Sequence, residues 1–448
     1  MAGRKDDPEF DEFCDPDNPR KIKYEDVLAA SRRIAGQVFR TQMPRAHMSE
    51  KLGMEVYIKH EFLQYTGSFK ERGVRNTLLL LSDEQKKLGV VSASAGNHAT
   101  ALGYHSGQLG VPNIVVMPVS APLTKVHNAE KFCGKVILNG ANMAETKRFA
   151  MTLAKEKKMR YVNGYDHPNV VEGQGTIGIE ILEELPNVDA VVVPCGGGSL
   201  LAGVAVAVKH LKPDTEVYGV ESEKTCSMVE ALKKNERVYF PIGTTIVEGL
   251  AVPMVGVNTF FNVKSLVDKM VVVNEDWVAR AIMHIVEEEK FAIEGSGAIG
   301  IAAIMAGLFP NLKGKKVAVI CTGGNIDQTT LGRVLERGMA AEGRLVKFKV
   351  TLANKHGGLA ELCALLAGIG VTVRDCVPER ACVTSNVLGI QFKLVCETRG
   401  WDHTRELLES IKKHYKEYLF QEMNERPDKA LSSKRGPCLA PNPVCMQK

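Results

Sequence analysis

The sequence predicts an α/β protein: a main part built on parallel sheets, followed by a small, separate α+β module. Two patterns lead to that class. From about residue 81 to residue 321, short runs rich in β-branched residues alternate with helical patterns, the rhythm of strands joined by crossover helices on both faces of a sheet. Near Gly343 the rhythm shortens, and the stretch beyond it is too small to be another layer of the main sheet yet large enough to fold as a module. The length of 448 residues also exceeds what one compact core organises, so two or three domains are expected.

The elements run in order along the chain. Residues 1–22 are rich in Asp and Pro with little apolar surface, and are expected to be disordered. From Tyr24 an amphipathic helix is expected, with Val27, Leu28, Ile34 and Val38 apolar. A strand, MEVYIKHE, then runs into residues 65–73, YTGSFKERG. There Thr66 and Ser68 are N-cap residue types and Gly67 is a turn residue, which predicts a loop tipping into a helix with Lys70 in its first turn. A leucine-rich helical stretch continues to Leu81. Beyond it the strand candidates are residues 90–94, 113–117, 135–138, 160–162, 190–194, 216–220, 269–273 and 317–321. The module reads as strand RLVKFKVTL, loop ANKHGG, helix LAELCALLAGIG, strands VTVRDCVPE and NVLGIQFKLVCE, and a helix over residues 404–415. From Asn424 the chain is Pro-, Ser- and Lys-containing and reads as a loose tail.

Composition removes several classes of function. Hydrophobic residues make up 45% and charged residues 24%, as in an ordinary globular protein, and the formal charge is only +5. Basic residues are scattered among acidic ones with no stripe of interleaved aromatics, which argues against nucleic acid as a partner. No apolar run approaches the length that spans a bilayer, so no membrane partner is expected. The acidic, Pro-containing start is the reverse of a secretory or transit signal, and the 11 cysteines form no C-x-x-C pair, both of which point to a cytoplasmic protein with reduced thiols. The 41 glycines cluster, which marks tight loops near a ligand.

In open parallel sheets, ligands bind beyond the carboxyl ends of the strands. Four loops of the right kind sit at or near such places. At Lys70, a cation at a helix start opposes the helix dipole, which favours the neutral amine that attacks a carbonyl. A lone lysine there would ordinarily be a solvated surface residue; the other loops give this one its meaning. SASAGNHATALG opens a helix at Ser94, Gly96, Asn97 and His98 and offers a cradle for a carboxylate. In VVVPCGGGSLLAG, Gly196, Gly197 and Gly198 let the backbone close on an anion while Ser199 and the following helix add donors, which suits a phosphate. That spacing departs from G-x-G-x-x-G, and no acidic residue stands at the ribose-binding distance, so a nicotinamide dinucleotide is discounted. In VAVICTGGNID, Thr322 ends an apolar strand with a neutral hydroxyl. An amine, a carboxylate cradle, a phosphate cradle and a hydroxyl together fit pyridoxal 5'-phosphate held as a Schiff base.

With SFKERG, SAGNH, PCGGGSLLAG and TGGNID in that order, the chain resembles the fold-type II pyridoxal-phosphate enzymes, and within them the threonine and serine dehydratases, from about Tyr24 to Ala341. The resemblance implies two parallel-sheet subdomains of the tryptophan synthase β-like kind over residues 23–341, the smaller inserted at about 89–166. It also implies roles. Lys70 would carry the cofactor and then remove the substrate's α-proton; Phe69 would support the pyridine ring; Asn97 would meet the ring hydroxyl. Gly196, Gly197, Gly198, Ser199 and Leu200 would bind the phosphate, with Ser199 standing where the family usually has a fourth glycine. Ser94, Gly96, Asn97 and His98 would hold the substrate carboxylate. Thr322 would meet the pyridine nitrogen, where a hydroxyl leaves the ring a weaker electron sink than a carboxylate does and favours loss of a β-substituent.

The expected reaction is therefore β-elimination from threonine, and from serine, to a 2-oxo acid and ammonia. A serine racemase is the nearest rival, but Ala95 stands where racemases carry the serine that acts as a second acid. Glu221 matches one of their metal-binding acids and Ser227 replaces the other, so no metal is assigned. Cysteine-forming β-replacement and an idle amino-acid sensor are the remaining alternatives. The module at residues 344–420 resembles an ACT domain, with the loop at 354–359 placed to take an amino-acid or nucleotide effector between paired modules, or to serve dimerisation alone. A homo-oligomer, dimer or tetramer, is expected.

Overall fold

The structure is a computed structural model that describes residues 10–381 and 388–420. The chain divides into two compact units between Thr330 and Leu331. Among the described residues, no helix is long and apolar enough to cross a membrane.

The first unit holds two parallel sheets. Strands Glu55–Lys59 (β1), Ala190–Pro194 (β6), Glu216–Ser222 (β7), Lys269–Val273 (β8) and Lys316–Ile320 (β9) form one, in the order β1-β9-β6-β7-β8. Strands Val90–Ala93 (β2), Asn113–Met117 (β3), Lys135–Leu138 (β4) and Arg160–Tyr161 (β5) form the other, in the order β4-β3-β2-β5. The central strands are AVVVP and NIVVM, buried at every residue, because helices cover both faces and leave no side to alternate toward water. Helices Pro168–Glu184 and Ser199–Leu211 pack almost backbone to backbone: a Cβ on Gly203 would sit 2.4 Å from the Val171 carbonyl oxygen. The larger core lies around these helices and includes Val191, Val193, Leu201, Val204 and Ala318.

Residues 10–22 correct the expectation of a disordered start. Asn258 accepts the Arg20 amide at 2.7 Å and donates to the Phe13 carbonyl at 2.7 Å, and Asn262 accepts the Ile22 amide at 3.0 Å. The Phe13 ring packs against His167 at 4.3 Å and Ile22 is buried. Two asparagine side chains supply the anchoring that the segment's own composition lacks; residues 1–9 lie outside the described residues. The division into units also falls inside helix Gln328–Ala341 rather than at the composition change near Gly343.

The second unit is an antiparallel sheet, Leu345–Ala353 (β10), Thr372–Glu379 (β11), Gly389–Glu397 (β12) and Tyr418–Phe420 (β13), in the order β11-β12-β10-β13. Helices Gly358–Ile369 and Trp401–His414 enclose a core with Val346, Phe348, Leu362, Leu366, Phe392, Leu394, Leu407 and Ile411. The second helix begins at Trp401, earlier than its expected start at Thr404. The sequence pattern does not announce β13: only three residues long, it is held by pairing of Phe420 with Phe348 in β10. The expected tail at 424–448 lies outside the described residues.

Candidate active site

Sheet order explains why separate loops meet. β1, β9 and β6 are parallel neighbours, so the segments leaving their carboxyl ends, near residues 60–69, 321–325 and 195–198, lie side by side. Backbone bonds stitch the first two together: Phe69 N–H donates to the Thr322 carbonyl at 3.1 Å, and Gly324 N–H to the Gly67 carbonyl at 3.0 Å. In the other sheet β2 and β5 are neighbours, which brings Ser94–His98 beside Gly164 and Tyr165.

Lys70 is the first residue of helix Lys70–Leu79, and the N-cap is Phe69, with no side-chain capping bond. This corrects the capping reading: the Thr66 and Ser68 hydroxyls are buried without a hydrogen-bond partner, and the helix turn is entered through Phe69 in an α conformation. The Lys70 amine donates to the Gly164 carbonyl at 2.8 Å and lies 5.0 Å from the centre of the Phe69 ring. Burial lowers its pKa from 10.5 to about 8, against the opposing pull of the Glu294 charge. Burial of the amine lowers its basicity at the helix start to which the sequence pointed.

Asn97 opens helix Asn97–Gln108 and sits in a polar chain. Its Nδ2 donates to Glu294 Oε1 at 2.9 Å, and its Oδ1 accepts from Asn325 Nδ2 at 2.9 Å. Burial raises the pKa of Glu294, while the hydrogen bonds from Ser296 and Asn97 act against that rise. Ser94 Oγ accepts the Gly96 amide at 3.4 Å. The His98 ring is buried against Gly164, makes no full hydrogen bond through either nitrogen, and is held neutral by burial with its pKa lowered to about 3. The His98 imidazole is thus neutral and brings no charge to a carboxylate.

The glycine loop is as tight as its composition requires. A Cβ on Gly197 would lie 2.4 Å from the Tyr165 ring, and Gly198 takes a φ of 101°, closed to most side chains. Thr259 Oγ1 fixes the loop by donating to the Gly197 carbonyl at 2.7 Å. Ser199 begins helix Ser199–Leu211, whose first-turn amides face the loop's end, while the Leu200 side chain is buried in the core. Thr322 is buried at the end of β9. Glu221 is not available as an open ligand: it accepts the Met228 and Val229 amides at 2.9 Å each, and burial raises its pKa to about 8. Among the described residues no group of three or more His, Cys, Asp or Glu is placed to hold a metal ion.

The structure thus gathers Lys70, Phe69, Asn97, the three glycines, Ser199 and Thr322. It adds Glu294, Asn325, Gly164 and Tyr165, to which sequence reasoning gave no role. For Glu294 one signal existed: a lone acid in AIEGSGAIGIAAIM, an otherwise small and apolar stretch.

Residues 34–323 match the family model for pyridoxal-phosphate dependent enzymes. An L-threonine ammonia-lyase of Thermotoga maritima is 38% identical over 387 residues, 86% of this chain and 96% of the relative. A catabolic L-threonine dehydratase of Escherichia coli is 37% identical over 315 residues, 70% of this chain and 96% of the relative. Among solved structures, the processed form of threonine deaminase isoform 2 from Solanum lycopersicum superposes with a TM-score of 0.67 at 34% identity, covering 71% of this chain and 95% of that one. Maize serine racemase superposes with a TM-score of 0.68 at 31% identity, covering 70% and 97%. By the family match and by these relatives, the chain belongs to the pyridoxal-phosphate dependent enzymes.

Proposed function

We propose that the chain deaminates L-threonine, and also L-serine, by β-elimination, releasing 2-oxobutanoate or pyruvate with ammonia. The residues fit pyridoxal phosphate: a buried amine of lowered basicity, and a glycine loop packed so tightly that a Cβ on Gly197 would strike the Tyr165 ring. When bound, that cofactor supplies the carbonyl that captures an amine and a sink for the α-carbon's electrons. Lys70 would hold it and later accept the substrate's α-proton at Nζ, since an amine with a pKa of about 8 is partly neutral near neutral pH. The first-turn amides after Gly198 would take the phosphate, and Ser94 with the start of helix Asn97–Gln108 the substrate carboxylate. Thr322 would meet the ring nitrogen with a hydroxyl. The β-hydroxyl leaves as water, and the enamine product hydrolyses to the 2-oxo acid and ammonia.

The buried Lys70 amine is the observation that carries this reading, and the relatives named for threonine direct it to that substrate. Ala95 supports elimination over racemisation, because it offers no proton to the opposite face. The second unit we read as an ACT-like regulatory module. Its β-α-β-β-α-β order and the open edge of β11 support pairing with a second copy, with an amino-acid or nucleotide effector near residues 354–359. A cytoplasmic homo-oligomer fits the free thiols of the described cysteines. The test is to measure 2-oxobutanoate, pyruvate and D-serine from purified enzyme given L-threonine or L-serine, with and without isoleucine, valine and nucleotides. The 2-oxo acids should dominate. D-serine as main product would replace this reading with racemisation.

A further inference from the structure

The polar chain through Asn97 is anchored at both ends by groups that can only accept. At one end is the Thr66 carbonyl, which receives Asn325 Nδ2 at 2.8 Å. At the other is the Glu294 carboxylate, whose Oε1 receives both Asn97 Nδ2 at 2.9 Å and Ser296 Oγ at 2.6 Å. Between them Asn325 spends its remaining N–H on Asn97 Oδ1 at 2.9 Å. These contacts fix both amides, since reversing Asn325 would set two carbonyl oxygens face to face, and reversing Asn97 would turn an oxygen toward a carboxylate. Gly323 makes the arrangement possible: a Cβ there would lie 2.7 Å from Glu294 Oε1 and 3.1 Å from Asn97 Nδ2.

An amide NH2 has two hydrogens, and its carbonyl oxygen is already engaged on the side of Asn325. We infer that Glu294 and Asn325 are positioning residues that hold Asn97 as a donor toward the cofactor's ring oxygen, so that the oxygen is bound in its ionised form. A donor stabilises the anionic oxygen and gives nothing to a hydroxyl proton. That proton then resides on the nitrogen linking cofactor and Lys70, the state in which the link is most open to attack by a substrate amine. The inference rests on the cofactor assignment made under Proposed function.

The test is the absorption spectrum of the substrate-free enzyme at saturating pyridoxal phosphate and fixed pH, where the ionised-oxygen form absorbs at long wavelength and the hydroxyl form in the near ultraviolet. The wild type should show mainly the long-wavelength band. Asn325→Ala, at an exposed position, frees Asn97 to rotate and should lower the ratio of long- to short-wavelength absorbance by about fivefold, the value of roughly one hydrogen bond. Glu294→Leu should do the same, and Glu294→Gln, which keeps a carbonyl acceptor, should restore the ratio. Should Glu294→Leu fail to fold, Asn325→Ala carries the test alone. Unchanged ratios in variants that still bind cofactor would overturn the inference, as would a wild type dominated by the near-ultraviolet band. A wild type that takes up no cofactor would instead overturn the cofactor assignment itself.

Discussion

Strand β6, AVVVP, is buried along its whole length, whereas β11, TVRDCVPE, is exposed at residues 372–378. Both contain β-branched residues. What differs is the company: β6 has β9 and β7 on its two sides, while β11 is an edge with β12 alone. A strand enclosed in this way holds its end still, and the glycine loop leaves β6 at that end. An open edge with Val373 and Val377 accessible keeps a row of backbone groups free for another chain. The first region is built to hold atoms in place; the second, among the described residues, ends in a strand with one neighbour.

The comparison can be broken from its rigid side first. Lys70→Ala should abolish 2-oxo acid release altogether while leaving the fold intact, which circular dichroism and product assays would show together. With Lys70 present, covalent capture of pyridoxal phosphate by cofactor-free protein should require the neutral amine. Because the pKa is lowered to about 8, the capture rate should fall about tenfold per pH unit below that value and level off above it. A stopped-flow profile that levels off only near pH 10 would show a solvated lysine.

Beneath the site, Arg72 is fully buried and bonds Glu61 at 2.7 and 2.8 Å and Glu180 at 2.6 Å. Arg72→Ala strands Glu61 in the interior and leaves Glu180 to Lys59 alone, and should cost about 3–5 kcal/mol in denaturant unfolding. Gly197→Ala drives a methyl into Tyr165 and should cost about 1–3 kcal/mol, with weakened cofactor binding by titration. On the open side, Val377→Lys should change stability by less than about 0.5 kcal/mol, yet shift the assembly toward smaller species in sedimentation.

Legibility in the sequence divides in the same way between local and distant causes. Strands at 113–117, 135–138, 190–194 and 269–273 have the bounds their β-branched runs imply, and for 113–117 and 190–194, buried at every residue, the strand writes itself as one apolar run. Lys70, Asn97 and the three glycines stand in short motifs and could be singled out. Glu294 could not be joined to Asn97, because 197 residues separate them and only the packing of one sheet beside the other makes them partners. The same holds for the docking of residues 10–22, whose anchors Asn258 and Asn262 lie about 240 residues on. Burial, which sets the Lys70 amine's basicity, is likewise a property of the assembled fold.

Reduction of the pyridoxal phosphate-loaded enzyme with borohydride, followed by peptide mapping, tests the central claim most directly. One phosphopyridoxyl group is expected, on Lys70. A label on any other lysine, or none in protein that binds the cofactor, would contradict that claim.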